Sequence, residues 1–472
     1  MNDNIEKLMA AKSNKRTNIL FVLLLFVTCN FLSGFIPPFQ SPDEFEHVTR
    51  GYLFGRGVLV LEAPKDEVSG GYIDTGLARY MDVFSSLPFH PERKVSDAEI
   101  ESAKKIKWEG TTQFKRAPGM AFYFPAIYSV HTLGLTLGKH LDLTVDATYK
   151  LTRFLLLLVI CCILYFSFQL YQPSFLVMAL LIIPMSLFQF SSASLDGITT
   201  ALSIFIVSAF LRLVQDKEQS SSWLFYALLV AWLLVASSRV QQCSLILLVA
   251  SCAYFTRRPR YVLWSIVAAI AVVAWQILAV KTSVDGRVNL GASTSQIVSW
   301  YLSRPQDFIT VMQATLSSSE TWRSYLSSFF GMLGWLDAPF AGKEYIYLLA
   351  LTSVIGVCSV TLRSLNTDAK ARLLLVICVV GSVLMIYFAL LVTWTPHPAT
   401  VVHGVVGRYF LIPAIMIAYA LADAYVALPL KSAKRLCGLI LLICLSVYSI
   451  INTTKLLSAR YYEQTKLSQL TK

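Results

Sequence analysis

The sequence predicts an all-α polytopic membrane protein, and three observations carry that expectation. Of its 472 residues, 56% are hydrophobic and only 14% are charged, where a soluble domain carries roughly 25% charged residues. The apolar residues gather into runs long enough to cross a ~30 Å hydrocarbon layer. Finally, the net charge of +12 is concentrated in short connectors between those runs: Lys7, Lys12, Lys15 and Arg16; Arg257, Arg258 and Arg260; Lys431, Lys434 and Arg435. Basic connectors of this kind mark cytoplasmic loops and give no support to nucleic-acid binding.

In chain order, the apolar segments are 18–38, 119–138, 151–170, 174–190, 195–214, 222–237, 241–255, 261–280, 344–361, 372–394, 406–429 and 436–453. Two long polar stretches interrupt them, 39–118 and 281–343. The first run is too long for a signal-peptide core and no small-x-small cleavage site follows it, so it is expected to stay as a helix with a cytoplasmic N-terminus. Residues 39–118 then lie outside and the basic cluster 256–260 inside, which requires an odd number of crossings between them, although six segments intervene. The segment to remove is 119–138, which carries Pro125, His131 and Gly134; with 139–150 it reads as a helix lying in or dipping into the outer leaflet. About eleven crossings remain. The basic clusters at 256–260, 363–372 and 431–435 then fall inside and all six histidines outside, while Lys455, Arg460, Lys466 and Lys472 sit outside against the charge rule.

The nine cysteines lie in or beside apolar runs, which predicts packing residues and no disulfide framework. No Rossmann glycine fingerprint, phosphate-binding loop or HExxH helix is present, so no means of binding a nucleotide or nucleotide-sugar is evident.

Chemistry-bearing residues cluster first at Ser41–Arg50, where Asp43, Glu44, Glu46 and His47 emerge at the membrane edge. Pro37-Pro38 stops the helix that delivers them. The competing reading is a solvated helix start capped by Ser41. Asp196, beside Gly197, stands between two apolar helices, with Arg239 as its natural counter-charge; the alternative is an N-cap. Arg408, in His403-Gly404-Val405-Val406-Gly407-Arg408-Tyr409-Phe410, offers a fork of donors to an anion, or else snorkels at the interface beside Tyr409. Gly334-Trp335-Leu336-Asp337 marks a turn in the second polar stretch, and Lys115-Arg116 could meet a lipid headgroup.

Taken together, Pro42-Asp43-Glu44-x-x-His47, Gly334-Trp335-Leu336-Asp337 and Gly404-x-x-Gly407-Arg408-Tyr409-Phe410 resemble, in order and across essentially the whole chain, one bacterial membrane-protein family, domain of unknown function 2142. That family looks like a branch of the GT-C glycosyltransferases. Where it often has Lys-Pro, this chain reads Arg239-Val240, keeping the charge without the proline. The resemblance implies a GT-C-like module over 18–280, with a first periplasmic loop 39–118 and an interfacial segment 119–150. A second periplasmic loop at 281–343 and a C-terminal bundle at 344–472 would follow the cytoplasmic residues 1–17.

It further implies an enzyme of the bacterial inner membrane with a periplasmic active site. The sugar would come from an undecaprenyl-phosphate donor and pass to an O-antigen-like surface polysaccharide, as in serotype conversion. For such a transfer Asp43 is the first choice of base and Glu44 the second. Arg408 would take the leaving phosphate, helped by Arg239, Lys115 and Arg116. Asp196 would orient a cation or the acceptor, and Glu46, His47, Trp335, Asp337, His403 and Tyr409 are expected around them. A divalent metal has no convincing ligand set. The rival readings are a non-catalytic carrier or flippase of lipid-linked glycan, and a polysaccharide polymerase.

Overall fold

A computed structural model describes residues 2–360, 368–422, 424–425 and 433–462. Arg363, Lys431, Lys466 and Lys472, four of the cations used to orient the chain, lie outside the described residues. Among the described residues, six helices are long and apolar enough to cross a membrane. They are α1 (Asn2–Ser33), α6 (Val145–Leu170), α9 (Asp196–Asp216), α12 (Arg260–Thr282), α17 (Ala369–Thr393) and α19 (Ala433–Tyr461). The other expected crossings correspond to shorter apolar pieces. Pro184 opens a new helix one residue after the last ends, so 174–190 becomes α7 (Phe175–Ile182) and α8 (Pro184–Phe190). Helix α10 (Ser222–Ala236) is followed by a 3-10 turn (Val240–Leu245) and α11 (Ile246–Thr256). Helix α16 (Gly342–Ser359) precedes α17, and a 3-10 turn (Gly407–Phe410) leads into α18 (Leu411–Leu421).

Segment 119–138 forms no long helix. Prolines open 3-10 turns at Pro118–Met120 and Pro125–Tyr128, and only α5 (Ser129–His140) is α-helical. Unlike α10, α11 and α18, α5 is not an apolar piece, since it carries His131, Lys139 and His140. Gly134 and Gly138 let α5 lie directly on α6, since a Cβ at either would collide with Thr152 or Thr148.

The two long polar stretches are folded. In the first, α2 (Glu44–Gly55), α3 (Thr75–Phe84) and α4 (Asp97–Lys104) accompany an antiparallel pair, β1 (Gly70–Asp74) and β2 (Thr112–Arg116), with Tyr72 opposite Phe114. Phe39, Val48, Ile73, Leu77 and Met81 pack there against Tyr149 of α6. The second holds α13 (Thr294–Ser303), α14 (Pro305–Leu316) and α15 (Ser319–Phe330), then a two-residue pairing of β3 (Met332–Leu333) with β4 (Ala338–Pro339) that frames Gly334–Asp337. The described residues are mostly helical, as expected, and carry two small sheets in the polar stretches. A sheet of two to five residues per strand leaves no hydrophobic signature against runs of twenty.

The end of α19 rests on the first polar stretch. Arg460 donates to Leu87 O at 2.7 Å and Arg93 O at 3.1 Å, and Val95 N donates to Tyr461 O at 2.8 Å. The helix thus ends on the same face as the C-terminus of α1.

Candidate active site

A cavity of about 540 Å³ opens where the two polar stretches meet the helices. Its polar wall starts with α2. After Pro37-Pro38 the chain turns through Phe39 (φ 64°), whose ring stacks on Phe45 at 4.7 Å, and then through Asp43 (φ 63°). Asp43 precedes α2 without capping it, which leaves its carboxylate free to face the cavity. Ser41 is no cap either, since its hydroxyl has no hydrogen-bond partner.

Arg408 reaches the same space from the 3-10 turn before α18. Its Nη2 is 3.8 Å from Asp43 Oδ2, its side chain is only 7% exposed, and its Nε has no partner. A snorkelling arginine would instead place its head in water. Gly407 permits this placement, because a Cβ there would run into the backbone of α15 at Tyr325 and Phe329.

Arg239 enters from the break between α10 and the following 3-10 turn. It is paired with Asp196, and it donates to Tyr123 Oη at 3.0 Å. Asp196 is the first residue of α9 rather than its cap, and it also accepts from Gln189 Nε2 at 3.3 Å. Arg408 and Arg239 therefore line one opening, together with Tyr409 and Trp335, whereas Asp196 pairs with Arg239 without lining it. Trp335 is fixed by its indole N–H, which donates to Phe39 O at 3.0 Å.

A third guanidinium belongs to the wall and had no signal in the sequence. Arg287 donates to both Asp285 oxygens, at 2.9 and 2.7 Å, lies over the Trp394 ring at 4.9 Å, and comes 3.7 Å from Glu46 Oε1. Glu46 stands just behind the wall, accepting from Gly119 N at 2.7 Å. Burial pushes its carboxyl up to about 7, although Arg287 opposes the shift. Nine non-glycine positions among the described residues have a left-handed backbone, and three of them, Asp43, Phe89 and Leu336, line this cavity. Such backbone strain concentrates at functional sites.

Other expected residues lie elsewhere. Glu44, the second choice of base, is 0% exposed and fully used. Its Oε1 accepts from Tyr149 Oη and Ala193 N, each at 2.6 Å, and both oxygens accept from Arg153 at 3.3–3.4 Å. It is a structural ion pair, with no lone pair to offer a substrate. Lys115 is tied to Asp82 at 2.6 Å and Arg116 to Glu67 at 2.8 Å, both on β2 and away from the cavity. His47 is buried against Tyr128 Oη at 2.9 Å, and burial holds it neutral, well below the usual histidine range. Asp337 faces Arg460, not the cavity, and the exposed His403 stands beside the lining residue Gly404. Among the described residues, no three His, Cys, Asp or Glu side chains form a group able to hold a metal ion.

The residues that do converge, Asp43, Trp335 and the stretch Gly404–Tyr409, belong to the three quoted motifs. Residues 20–418 match the family described as Predicted membrane protein (DUF2142). The chain belongs to the DUF2142 family. No curated protein and no solved structure matches it. In this DUF2142 protein the matched region contains every polar residue of the cavity wall and ends within α18, so α19 lies beyond it.

Proposed function

We propose that this protein is a membrane glycosyltransferase. It takes a sugar from a polyprenyl-phosphate donor and passes it to a hydroxyl of a surface polysaccharide on the periplasmic side of a bacterial inner membrane. The observation that carries the reading is the confrontation of Asp43 with Arg408. A carboxylate able to accept a proton faces a buried, incompletely satisfied guanidinium within one cavity. Each charge supplies what the other half of the reaction needs.

In the proposed step the acceptor oxygen bonds to the anomeric carbon while the bond from that carbon to the phosphate oxygen breaks. Asp43 removes the acceptor proton as the centre gains oxocarbenium character. The departing phosphate gathers negative charge, which Arg408 and Arg239 neutralise without rearranging. Residues of α12, α13 and α17, among them Val280, Val298, Met385 and Phe388, give the cavity lining an apolar part, which suits a prenyl chain. The topology that accompanies this reading has eleven crossings, counting the six long helices and the five shorter apolar pieces, α7 with α8, α10, α11, α16 and α18.

A carrier that escorts a headgroup across the bilayer would need charges along a path, whereas the cavity charges here gather at one level. Mass analysis of surface polysaccharide from cells with and without the protein tests the proposal. The expected result is loss of one sugar substituent, and identical glycans would remove the reading.

A further inference from the structure

The cavity mouth carries an aromatic pair that proton transfer and phosphate binding leave unexplained. Phe89 is 65% exposed to solvent, and its backbone is left-handed (φ 64°), a conformation that disfavours a bulky side chain. This arrangement is actively held. Phe89 N donates to Asp337 Oδ2 at 3.0 Å, and the same oxygen accepts from Arg460 at 2.7 Å. The Phe89 ring meets Trp335 edge-on at 5.4 Å, and both side chains line the cavity. Behind them, Trp335 contacts Phe45 at 6.1 Å, two residues beyond Asp43.

We propose that Phe89 and Trp335 form a sugar-ring subsite that receives the glycan acceptor and presents its hydroxyl to Asp43. A pyranose has a face of C–H bonds and a rim of hydroxyls, so it stacks on an aromatic ring while its rim stays hydrated or hydrogen-bonded. The ring of Phe89 is wetted, and the exposed pair of His90 and Glu92 lies beside it, a setting that suits a sugar. A prenyl chain gains most from an apolar wall, which residues of α13 and α17 supply. The lining thus holds two chemistries, as a donor and an acceptor require. The roles of the two aromatics also differ: Trp335 is fixed by its bond to Phe39 O, while Phe89 reaches outward.

This inference rests on the glycosyltransferase reading for the direction of transfer but not for the binding itself. The test uses full-length protein in nanodiscs and calorimetric titration with two probes. One is short oligosaccharide released by mild acid from the surface polysaccharide of cells that lack the protein; the other is polyprenyl phosphate. Phe89→Ala should weaken oligosaccharide binding about tenfold, the scale of one lost aromatic contact, and leave polyprenyl phosphate binding unchanged. Phe89→Tyr should restore it, and Arg408→Ala should show the opposite selectivity. Oligosaccharide binding by Phe89→Ala equal to wild type overturns the subsite, as does no binding by wild type. Oligosaccharide binding that depends on Phe89 without any sugar transfer would leave the subsite standing and remove the transferase reading.

Discussion

Arg408 Nη2 lies 3.8 Å from Asp43 Oδ2, a contact too long for a hydrogen bond and short enough for mutual charge stabilisation. Each group therefore retains capacity for a further partner, and the two should respond differently to substitution. Asp43→Asn keeps shape but cannot accept a proton, so turnover should fall by about 10²–10⁴-fold with donor binding little changed. Arg408→Ala should lower both donor binding and turnover. Separate measurement of polyprenyl-phosphate binding and product formation distinguishes them. Full activity in Asp43→Asn would falsify the assignment of the base.

The neighbouring carboxylate should behave as part of the fold. Glu44→Gln leaves buried Arg153 without its counter-charge, which costs about 3–5 kcal/mol in comparable pairs. Thermal unfolding in detergent should show a large loss for Glu44→Gln and little change for Asp43→Asn. A Glu44→Gln protein as stable as wild type yet inactive would return Glu44 to the chemistry.

Glu46 makes stability depend on pH. Its carboxyl is raised by burial from an ordinary 4.5 to about 7, so between those values the folded protein binds more protons than the unfolded chain. Its contribution is then largest at low pH and declines as pH rises across that window. Unfolding midpoints measured from pH 5 to 8 should fall for wild type and change less for Glu46→Gln. Parallel curves for the two proteins would show that Glu46 does not govern the dependence.

Single cysteines at 142 and 258, in a cysteine-free background, test the orientation. Position 142 should react with an impermeant reagent from the periplasm and 258 only after the membrane is opened. Labelling of 142 from the cytoplasm alone would mean that residues 119–138 cross.

Much of this arrangement is legible in the sequence because it rests on rare events. A charge beside an apolar run is costly, so Asp196, Arg239 and Arg408 stand out, and the first two form the expected pair. The choice between Asp43 and Glu44 is not legible. Successive residues entering a helix point about 100° apart, and the partners that claim Glu44, Tyr149 and Arg153, come from α6 more than a hundred residues later. Arg287 is hidden for a related reason: its neighbours Glu46 and Trp394 come from distant parts of the chain, and only the adjacent Asp285 is local. Lys115 and Arg116 mislead in the other direction, because a small sheet turns them towards Asp82 and Glu67.

The bond from Arg460 to Leu87 spans 373 residues of chain. At synthesis rates of roughly 5–20 residues per second, those residues take roughly 20–75 s to make. Throughout that interval the first polar stretch has to keep its shape without Arg460, on the core that Ile73, Leu77 and Met81 form with Tyr149 of α6. Phe89 gains the clamp formed by Asp337 and Arg460 only when the last helix arrives. A nascent chain therefore waits with an unfinished entrance, and its cavity matures with the final turn of the protein.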